Sequence, residues 1–146
     1  MLTETQLSDF DRDGFVNGGK VLDDAQLEEL TSALGEMINR GPGGYSGVDE
    51  GPVSFKNISG NDERPVWQIV NVWEASEAFQ NLIYHSDIVQ GISQLTREPN
   101  LMVWHDQVQY KPAQYGGATT WHQDAPLWPI IRPADCVPVI RMETCW

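Results

Sequence analysis

Hydrophobic residues in the first hundred positions recur mainly at helical spacing, so the sequence predicts a helical N-terminal part. Residues 3–6 resemble a capping box and predict a short helix that ends near Gly14. A second helix is predicted to begin at Asp23 or Asp24 and to end before Gly41, because its apolar positions share one face and acids cluster at its N-terminus. Further helices of this kind are predicted over 74–83 and from Ser86 or Asp87 onward.

Shorter apolar or alternating segments predict strands between these helices. Two short strands are predicted at 15–16 and 20–22, on either side of a turn at 17–19. Residues 41–65 are rich in Gly, Pro, Ser and Asn, which predicts a long loop with little regular structure. The loose alternation over 66–73 predicts a further strand.

A change to period two after residue 100 predicts a longer strand over 101–110. One face of this strand carries His105, Gln107, Gln109 and then Lys111, which is unusually polar for a core. Such a face is typical of solvent exposure on an antiparallel sheet. It also fits a pocket wall, in which Gln107 and Lys111 would donate hydrogen bonds to an anionic molecule. Later strands are predicted over 120–124 and 137–142.

Composition indicates a folded protein with one domain. The 146 residues suffice for one buried core, and 40% hydrophobic content with six Trp argues against a disordered chain. No apolar run is long enough to predict a membrane span, and residues 1–5 lack the basic and apolar regions of a signal peptide. Cys136 and Cys145 form no CxxC motif and suggest no disulfide framework, so we expect a cytoplasmic location.

The formal net charge of −12 arises almost wholly in the first hundred residues, which hold 17 acids and 6 bases. A solvated acidic face that aids solubility accounts for it. The charge argues against nucleic acid and anionic lipid as partners. The nearly neutral, Trp-rich remainder is the better place for a small-molecule site.

Candidate chemistry concentrates at His122 and Asp124. One residue separates them, so on an extended strand both side chains point the same way. An imidazole and a carboxylate so placed form two corners of the facial triad that holds non-haem Fe(II) and leaves positions open for substrate and O2. The alternative is a surface strand in which the two side chains share a local hydrogen bond, because short motifs of this kind also arise by chance.

Three segments read, in chain order, Phe-Asp-Arg-Asp-Gly-Phe-Val at 10–16, Val-Trp-His-Asp-Gln-Val-Gln-Tyr-Lys-Pro at 103–112, and Trp-His-Gln-Asp at 121–124 with Trp-Pro at 128–129. In this order and spacing they resemble the phytanoyl-CoA dioxygenase family. The resemblance extends from about residue 5 to about residue 135.

This resemblance implies an α+β fold in which N-terminal helices pack on a partial double-stranded β-helix of the cupin or jelly-roll type. It implies a single domain over 1–146, mainly helix and loop over 1–100, with the first barrel strands over 101–146. Fe(II) and 2-oxoglutarate are the implied cofactors, with ascorbate as a reductant. The implied residues are His122 and Asp124 as metal ligands, Gln107 and Lys111 at the co-substrate, and Trp128 on the substrate side.

The implied reaction is hydroxylation of a small organic or acyl substrate, coupled to oxidative decarboxylation of 2-oxoglutarate to succinate and CO2. Related halogenases carry a small residue in place of the carboxylate ligand. Because Asp124 is an acid, the resemblance favours hydroxylation over halogenation. No residue is assigned a catalytic role beyond these binding roles.

The family's second iron histidine and its 2-oxoglutarate arginine have no counterpart in this sequence. His85 and His105 precede the motif, and Arg132 and Arg141 follow it too closely. Three or four barrel strands are predicted after the helices, where a jelly roll needs about eight. We therefore expect a truncated domain whose exposed sheet edge favours self-association.

Two other functions stay open at this point. The first is a truncated, non-catalytic remnant or binding module of the same family. The second is an unrelated β-rich domain that stacks sugars or aromatic ligands on Trp104, Trp121 and Trp128. The second gives no purpose to His122 and Asp124, so it ranks last.

Overall fold

The computed structural model describes residues 1–47 and 51–114, and within them helices and a small antiparallel sheet form an α+β arrangement. The helices are α1 (Glu4–Asp13), α2 (Asp24–Arg40), α3 (Glu77–Ile83) and α4 (Ser86–Thr96), and the strands are β1 (Ser54–Asn57), β2 (Trp67–Val70) and β3 (Gln107–Tyr110). Short 3-10 turns span Pro42–Tyr45 and Val72–Glu74. The α+β class is thereby confirmed. The predictions that lie outside the described residues are the strands over 120–124 and 137–142, His122, Asp124, Trp128 and both cysteines.

The first two helices begin as predicted, because each carries a capping box. In α1 the Gln6 N–H donates to Thr3 Oγ1 at 3.2 Å, and the Thr3 N–H donates back to Gln6 Oε1 at 2.9 Å. In α2 the Gln26 N–H donates to Asp23 Oδ1 at 2.8 Å. These reciprocal bonds satisfy backbone donors that the first turn of a helix leaves without partners.

The sheet has the order β1-β2-β3, with both pairs antiparallel. Ile69 at its centre pairs with Phe55 of β1 and Val108 of β3 and is fully buried. The core around it joins the sheet to α2, α3 and the second 3-10 turn; its buried members are Leu22, Leu30, Met37, Ile69, Val72 and Phe79. One face of the sheet therefore packs on helices, and the other face is left for polar residues.

The predicted strands at 15–16 and 20–22 are wrong, since neither segment forms a strand. Phe15 is 73% exposed, and Asn17 ties the segment to the first helix through its carbonyl, which accepts from Gln6 Nε2 at 2.9 Å. Asn17 Oδ1 also accepts the Gly19 N–H at 2.9 Å, a local turn that satisfies the backbone without a partner strand. Leu22 is buried in the core although it belongs to no strand.

The prediction of a structureless loop over 41–65 is also corrected, because this range contains a 3-10 turn and the whole of β1. Four residues without a strong strand pattern become a strand because β2 supplies the pairing. The strand over 66–73 is confirmed in its centre and ends at Val70, where a 3-10 turn follows. The helix predicted over 74–83 begins at Glu77, and the cap of α4 is His85, one residue before the predicted Ser86.

The strand predicted over 101–110 is confirmed only in its last four residues. Residues 101–104 are exposed and form no strand, although their side chains are apolar. The alternation continued through them, but only the part from Gln107 onward pairs with β2. The hydrophobic pattern shows which residues a strand would bury. Where the strand begins depends on hydrogen-bond pairing with a neighbouring strand.

Candidate functional site

The sheet face opposite the core collects polar side chains from all three strands. Paired residues on neighbouring strands lie on the same face, and successive residues alternate faces. Since Ile69 faces the core, its neighbours along β2, Gln68 and Val70, face the other side. The residues in register with them share that side, and we call these six residues the polar face: Ser54, Lys56, Gln68, Val70, Gln107 and Gln109.

Gln107 and Lys111, the predicted co-substrate residues, lie at the two ends of β3. Gln107 opens the strand, is exposed and pairs with Val70. Lys111 follows Tyr110 directly and is also exposed. Along the strand, exposed residues alternate with half-buried ones. This confirms the prediction that Gln107 and Gln109 share one polar face of the strand. The exposure of Gln107 and Lys111 fits both sequence interpretations, a solvated face and a pocket wall.

Lys56 joins this face from β1, and sequence reasoning missed it. Its strand was predicted as loop, so nothing indicated that Lys56 lies in one row with Gln68 and Gln109. The sequence has three lysines, at 20, 56 and 111. Lys20 forms an ion pair with Asp24 at 2.7 Å, whereas none of the ion pairs among the described residues involves the other two. Lys56 on the polar face and Lys111 just beyond β3 are thus two cations that are available to an anionic molecule.

Asp106 lies at the point where β3 enters the sheet. Its carbonyl accepts the Asn71 N–H at 3.0 Å, and its Oδ1 is buried without a hydrogen-bond partner. Desolvation by burial raises the pKa of the Asp106 carboxyl above its ordinary value, while hydrogen bonding from the backbone N–H groups of Trp73 and Val72 and the charge of His105 act in the opposite direction. The Asp106 backbone is therefore bonded to the turn that follows β2.

The histidines of the described residues do not assemble a metal site. His85 caps α4, and its Nδ1 is buried without a hydrogen-bond partner. His105 is half-buried, with its ring centroid 6.2 Å from that of Trp104. Within 1–47 and 51–114 no group of three or more His, Cys, Asp or Glu side chains is placed to hold a metal ion. The metal ligands predicted at 122 and 124 lie outside these ranges.

A small cavity of about 160 Å³ lies beside α2 and is lined in part by Glu36, Arg40 and Tyr45. The Arg40 guanidinium lies 4.2 Å from the centre of the Tyr45 ring, and its Nε donates to the Gly44 carbonyl. None of the predicted site residues lines this cavity. It is also smaller than typical small-molecule pockets, which run from about 300 Å³ upward.

A comparison with known families identifies the family of this chain. The family model for phytanoyl-CoA dioxygenase (PhyH) matches residues 10–146, which is nearly the whole chain. The chain belongs to the phytanoyl-CoA dioxygenase family. Membership implies a dioxygenase-type function, a cupin-like fold and a small-molecule substrate, and members of the family depend on Fe(II) and 2-oxoglutarate. Neither the curated proteins nor the solved structures contain a significant match to this chain.

No helix in the described ranges has the length and apolar character required to cross a bilayer. The ion pairs of the described residues are all surface pairs, such as Arg97 with Asp11 at 2.6 Å, which joins α4 to α1. Exposed pairs of this kind contribute little to stability, because solvent screens them.

Proposed function

We propose that this protein is an Fe(II)/2-oxoglutarate-dependent dioxygenase that hydroxylates a small organic or acyl substrate. The observation that carries the proposal is the family match over 10–146, which includes the Trp-His-Gln-Asp motif at 121–124. The polar face supports it, because Lys56 on this face and Lys111 just beyond β3 form no ion pair with the other described residues and suit a dicarboxylate better than an apolar ligand. The finer fold that goes with this function is a cupin-type jelly roll, of which β1, β2 and β3 would form part.

His122 and Asp124 would hold the iron. The donor set fits the metal, since Fe(II) accepts imidazole and carboxylate ligands together. When bound, Fe(II) and 2-oxoglutarate supply the oxidising chemistry by which O2 is used to hydroxylate a substrate carbon. Asp124 would be the carboxylate ligand of the iron, and the presence of an acid at this position favours hydroxylation over halogenation.

Lys56, Gln107 and Lys111 would bind the carboxylates of 2-oxoglutarate. A lysine ammonium and a glutamine amide donate charge-assisted hydrogen bonds to carboxylate oxygens, each stronger than a bond between neutral groups. Lys56 and Gln107 belong to the polar face, and Lys111 follows the end of β3. Trp128 would border the substrate and exclude water from it.

For partners and location, we propose a cytoplasmic protein that does not bind nucleic acid, as the net charge of −12 favours. β1 forms one edge of the described sheet, and we propose self-association through such an edge. Size-exclusion chromatography tests this part separately. Elution as a monomer at every concentration would contradict it.

A second candidate function is a non-catalytic binding module of the same family. The observation that favours it is the polar face, where Lys56 and Gln107 are available to an anion independently of any metal. Such a chain would bind 2-oxoglutarate or a related anion without turning it over.

Release of succinate from 2-oxoglutarate in the presence of Fe(II), ascorbate and O2 separates the two functions. The hydroxylase predicts succinate from the wild-type chain and none from His122→Ala. The control is His85→Asn, which changes a histidine that the proposal does not use and places a favourable N-cap residue at the start of α4. Equal succinate from wild type and His122→Ala would refute the proposed iron site, whereas binding without succinate would favour the binding module.

A further inference from the structure

The loop between α1 and α2 contains an asparagine followed directly by a glycine, Asn17-Gly18. Of the seven asparagines in the sequence, only Asn17 has glycine as its next residue. Both residues of the pair are exposed. Because glycine has no Cβ, its backbone nitrogen is more accessible than that of any other residue. The pair therefore places a side-chain amide next to an uncovered backbone nitrogen.

We propose that Asn17 is a site of spontaneous deamidation through a succinimide. The backbone nitrogen of Gly18 loses its proton to water and attacks Cγ of the Asn17 side chain. Nδ2 of Asn17 takes up a proton and leaves as ammonia, which closes the ring. Water then opens the ring at one of its two carbonyls, so that position 17 becomes aspartate or isoaspartate. This inference is independent of the proposed function.

The hydrogen bond from the Gly19 N–H to Asn17 Oδ1, 2.9 Å long, favours the attack on Cγ. Negative charge develops on Oδ1 when the nitrogen adds to Cγ, and a backbone donor that is already directed at this oxygen stabilises that charge. The same bond turns the side chain back along the chain, so that Gly18 lies inside the turn that it closes. The electrophile is thereby activated and kept beside the nucleophile.

A second hydrogen bond favours loss of the proton from the Gly18 nitrogen. The backbone carbonyl of Asn17 accepts from Gln6 Nε2 at 2.9 Å. This carbonyl and the Gly18 nitrogen form one peptide group, which becomes negatively charged when the nitrogen loses its proton. Hydrogen bonds to a charged acceptor are stronger than bonds to a neutral one, so the Gln6 amide stabilises this state. Within 1–47 and 51–114 no hydrogen bond uses the Gly18 N–H, so none has to be broken.

Asp13-Gly14, at the end of α1, is a similar pair that lacks these features. The Gly14 N–H donates to a carbonyl of α1 at 2.8 Å, so its nitrogen is already engaged. The Asp13 carboxylate accepts from the Arg12 guanidinium at 2.6 and 2.9 Å and has no amide to lose. A glycine as the next residue is therefore not sufficient, and the hydrogen bonds around Asn17-Gly18 distinguish this pair.

Peptide mapping by mass spectrometry, on the full chain incubated at mildly alkaline pH, tests the site. We expect aspartate and isoaspartate to accumulate at position 17 faster than at any of the other six asparagines. Gly18→Ala should slow the conversion by about tenfold or more, because the added methyl group hinders the approach of the nitrogen. That methyl group would meet no other atom within 4 Å, so the loop tolerates it. No conversion at Asn17, faster conversion at another asparagine, or an unchanged rate in Gly18→Ala would overturn the proposal.

The contribution of the fold is tested by a matched pair of variants in the two capping boxes. Gln6→Glu keeps an acceptor for the Thr3 N–H but loses the donor to the Asn17 carbonyl, so it should slow deamidation by roughly threefold to tenfold. Gln26→Glu makes the same change in the box of α2, where Gln26 bonds to Asp23, and should leave the rate at Asn17 unchanged. An equal or faster rate in Gln6→Glu would show that the fold does not promote the reaction.

Discussion

Gln107 pairs with Val70 at the entrance of β3, and this pairing places Gln107 on the side of the sheet opposite Ile69. The two faces of the sheet therefore carry different kinds of residue. One face joins the helices through a small apolar core, and the other presents Lys56 and three glutamines. A dicarboxylate co-substrate would bind on the second face.

Because the two faces differ, alanine substitutions at two neighbouring residues of β2 should lower the free energy of unfolding by different amounts. Ile69→Ala should lower the free energy of unfolding by about 2–5 kcal/mol, because Ile69 is fully buried against Phe55 and Val108. Val70→Ala, on the polar face, should cost about 1 kcal/mol. Urea unfolding followed by circular dichroism measures both. Equal costs, or a larger cost at Val70, would show that the faces are assigned the wrong way round.

Lys56 is predicted to contribute to 2-oxoglutarate binding although it lies far from the motif in sequence. Lys56→Ala removes one charge-assisted hydrogen bond and should weaken 2-oxoglutarate binding roughly tenfold or more. Lys20→Ala is the matched control, since Lys20 forms a surface ion pair with Asp24 and lies outside the polar face. Isothermal titration with 2-oxoglutarate compares the two variants. The same affinity for both would exclude Lys56 from the site.

The half-buried carboxyl of Asp106 predicts a pH dependence of stability with a definite sign. Desolvation raises its pKa above the ordinary value of 3.8, so in that range the folded protein binds the proton more tightly than the unfolded chain. The contribution of this group to stability is therefore greatest at low pH and is lost as the pH rises from 3.8 through the raised pKa.

Asp106→Asn removes this titration, so comparison with wild type isolates it from the other carboxylates. Relative to the variant, the wild-type chain should lose stability as the pH rises through that interval and then stay constant. Chemical unfolding at a series of pH values measures the difference. A wild-type chain that gains stability relative to Asp106→Asn over the same interval would show that Asp106 is favourably charged in the folded state.

Asp23 predicts a local effect on α2. Its carboxylate accepts the Gln26 N–H at 2.8 Å, so Asp23→Ala should lower the free energy of unfolding by about 1 kcal/mol. Asp23→Ser, which keeps an N-cap acceptor, should recover most of the loss. Thermal unfolding of the two variants checks the pair. If serine fails to rescue, the charge of Asp23 and not its capping bond would be responsible.

The sequence predicted those features that depend on neighbouring residues. The capping boxes at Thr3 and Asp23 are local, and both helices begin where they were expected. β1 could not be predicted, because Ser54–Asn57 becomes a strand only through its pairing with β2, and Lys56 was missed with it. The apolar residues 101–104 fit a strand pattern but lie exposed before β3. The pattern within a segment does not reveal which neighbouring strand it will pair with, and that pairing decides whether the segment becomes a strand.

The predicted metal motif is a local feature of the same kind. His122 and Asp124 were predicted from residue types and spacing, and the family match over 10–146 includes them. Lys56 and Gln107, which we propose for the co-substrate, are brought to one face by strands separated by about a third of the chain. A sequence motif can indicate a metal because its ligands are close together in the chain. Lys56 could not be predicted in this way, because only strand pairing brings it near Gln107.

Equilibrium dialysis of labelled 2-oxoglutarate against the chain, with and without Fe(II) and in the absence of O2, tests the central claim most directly. The proposed site predicts binding that Fe(II) strengthens, that His122→Ala and Asp124→Ala reduce to the metal-free level, and that Lys20→Ala leaves unchanged. Binding that is the same with and without Fe(II), or the same in wild type and His122→Ala, would contradict the assignment of His122 and Asp124 as the ligands of an iron that 2-oxoglutarate shares.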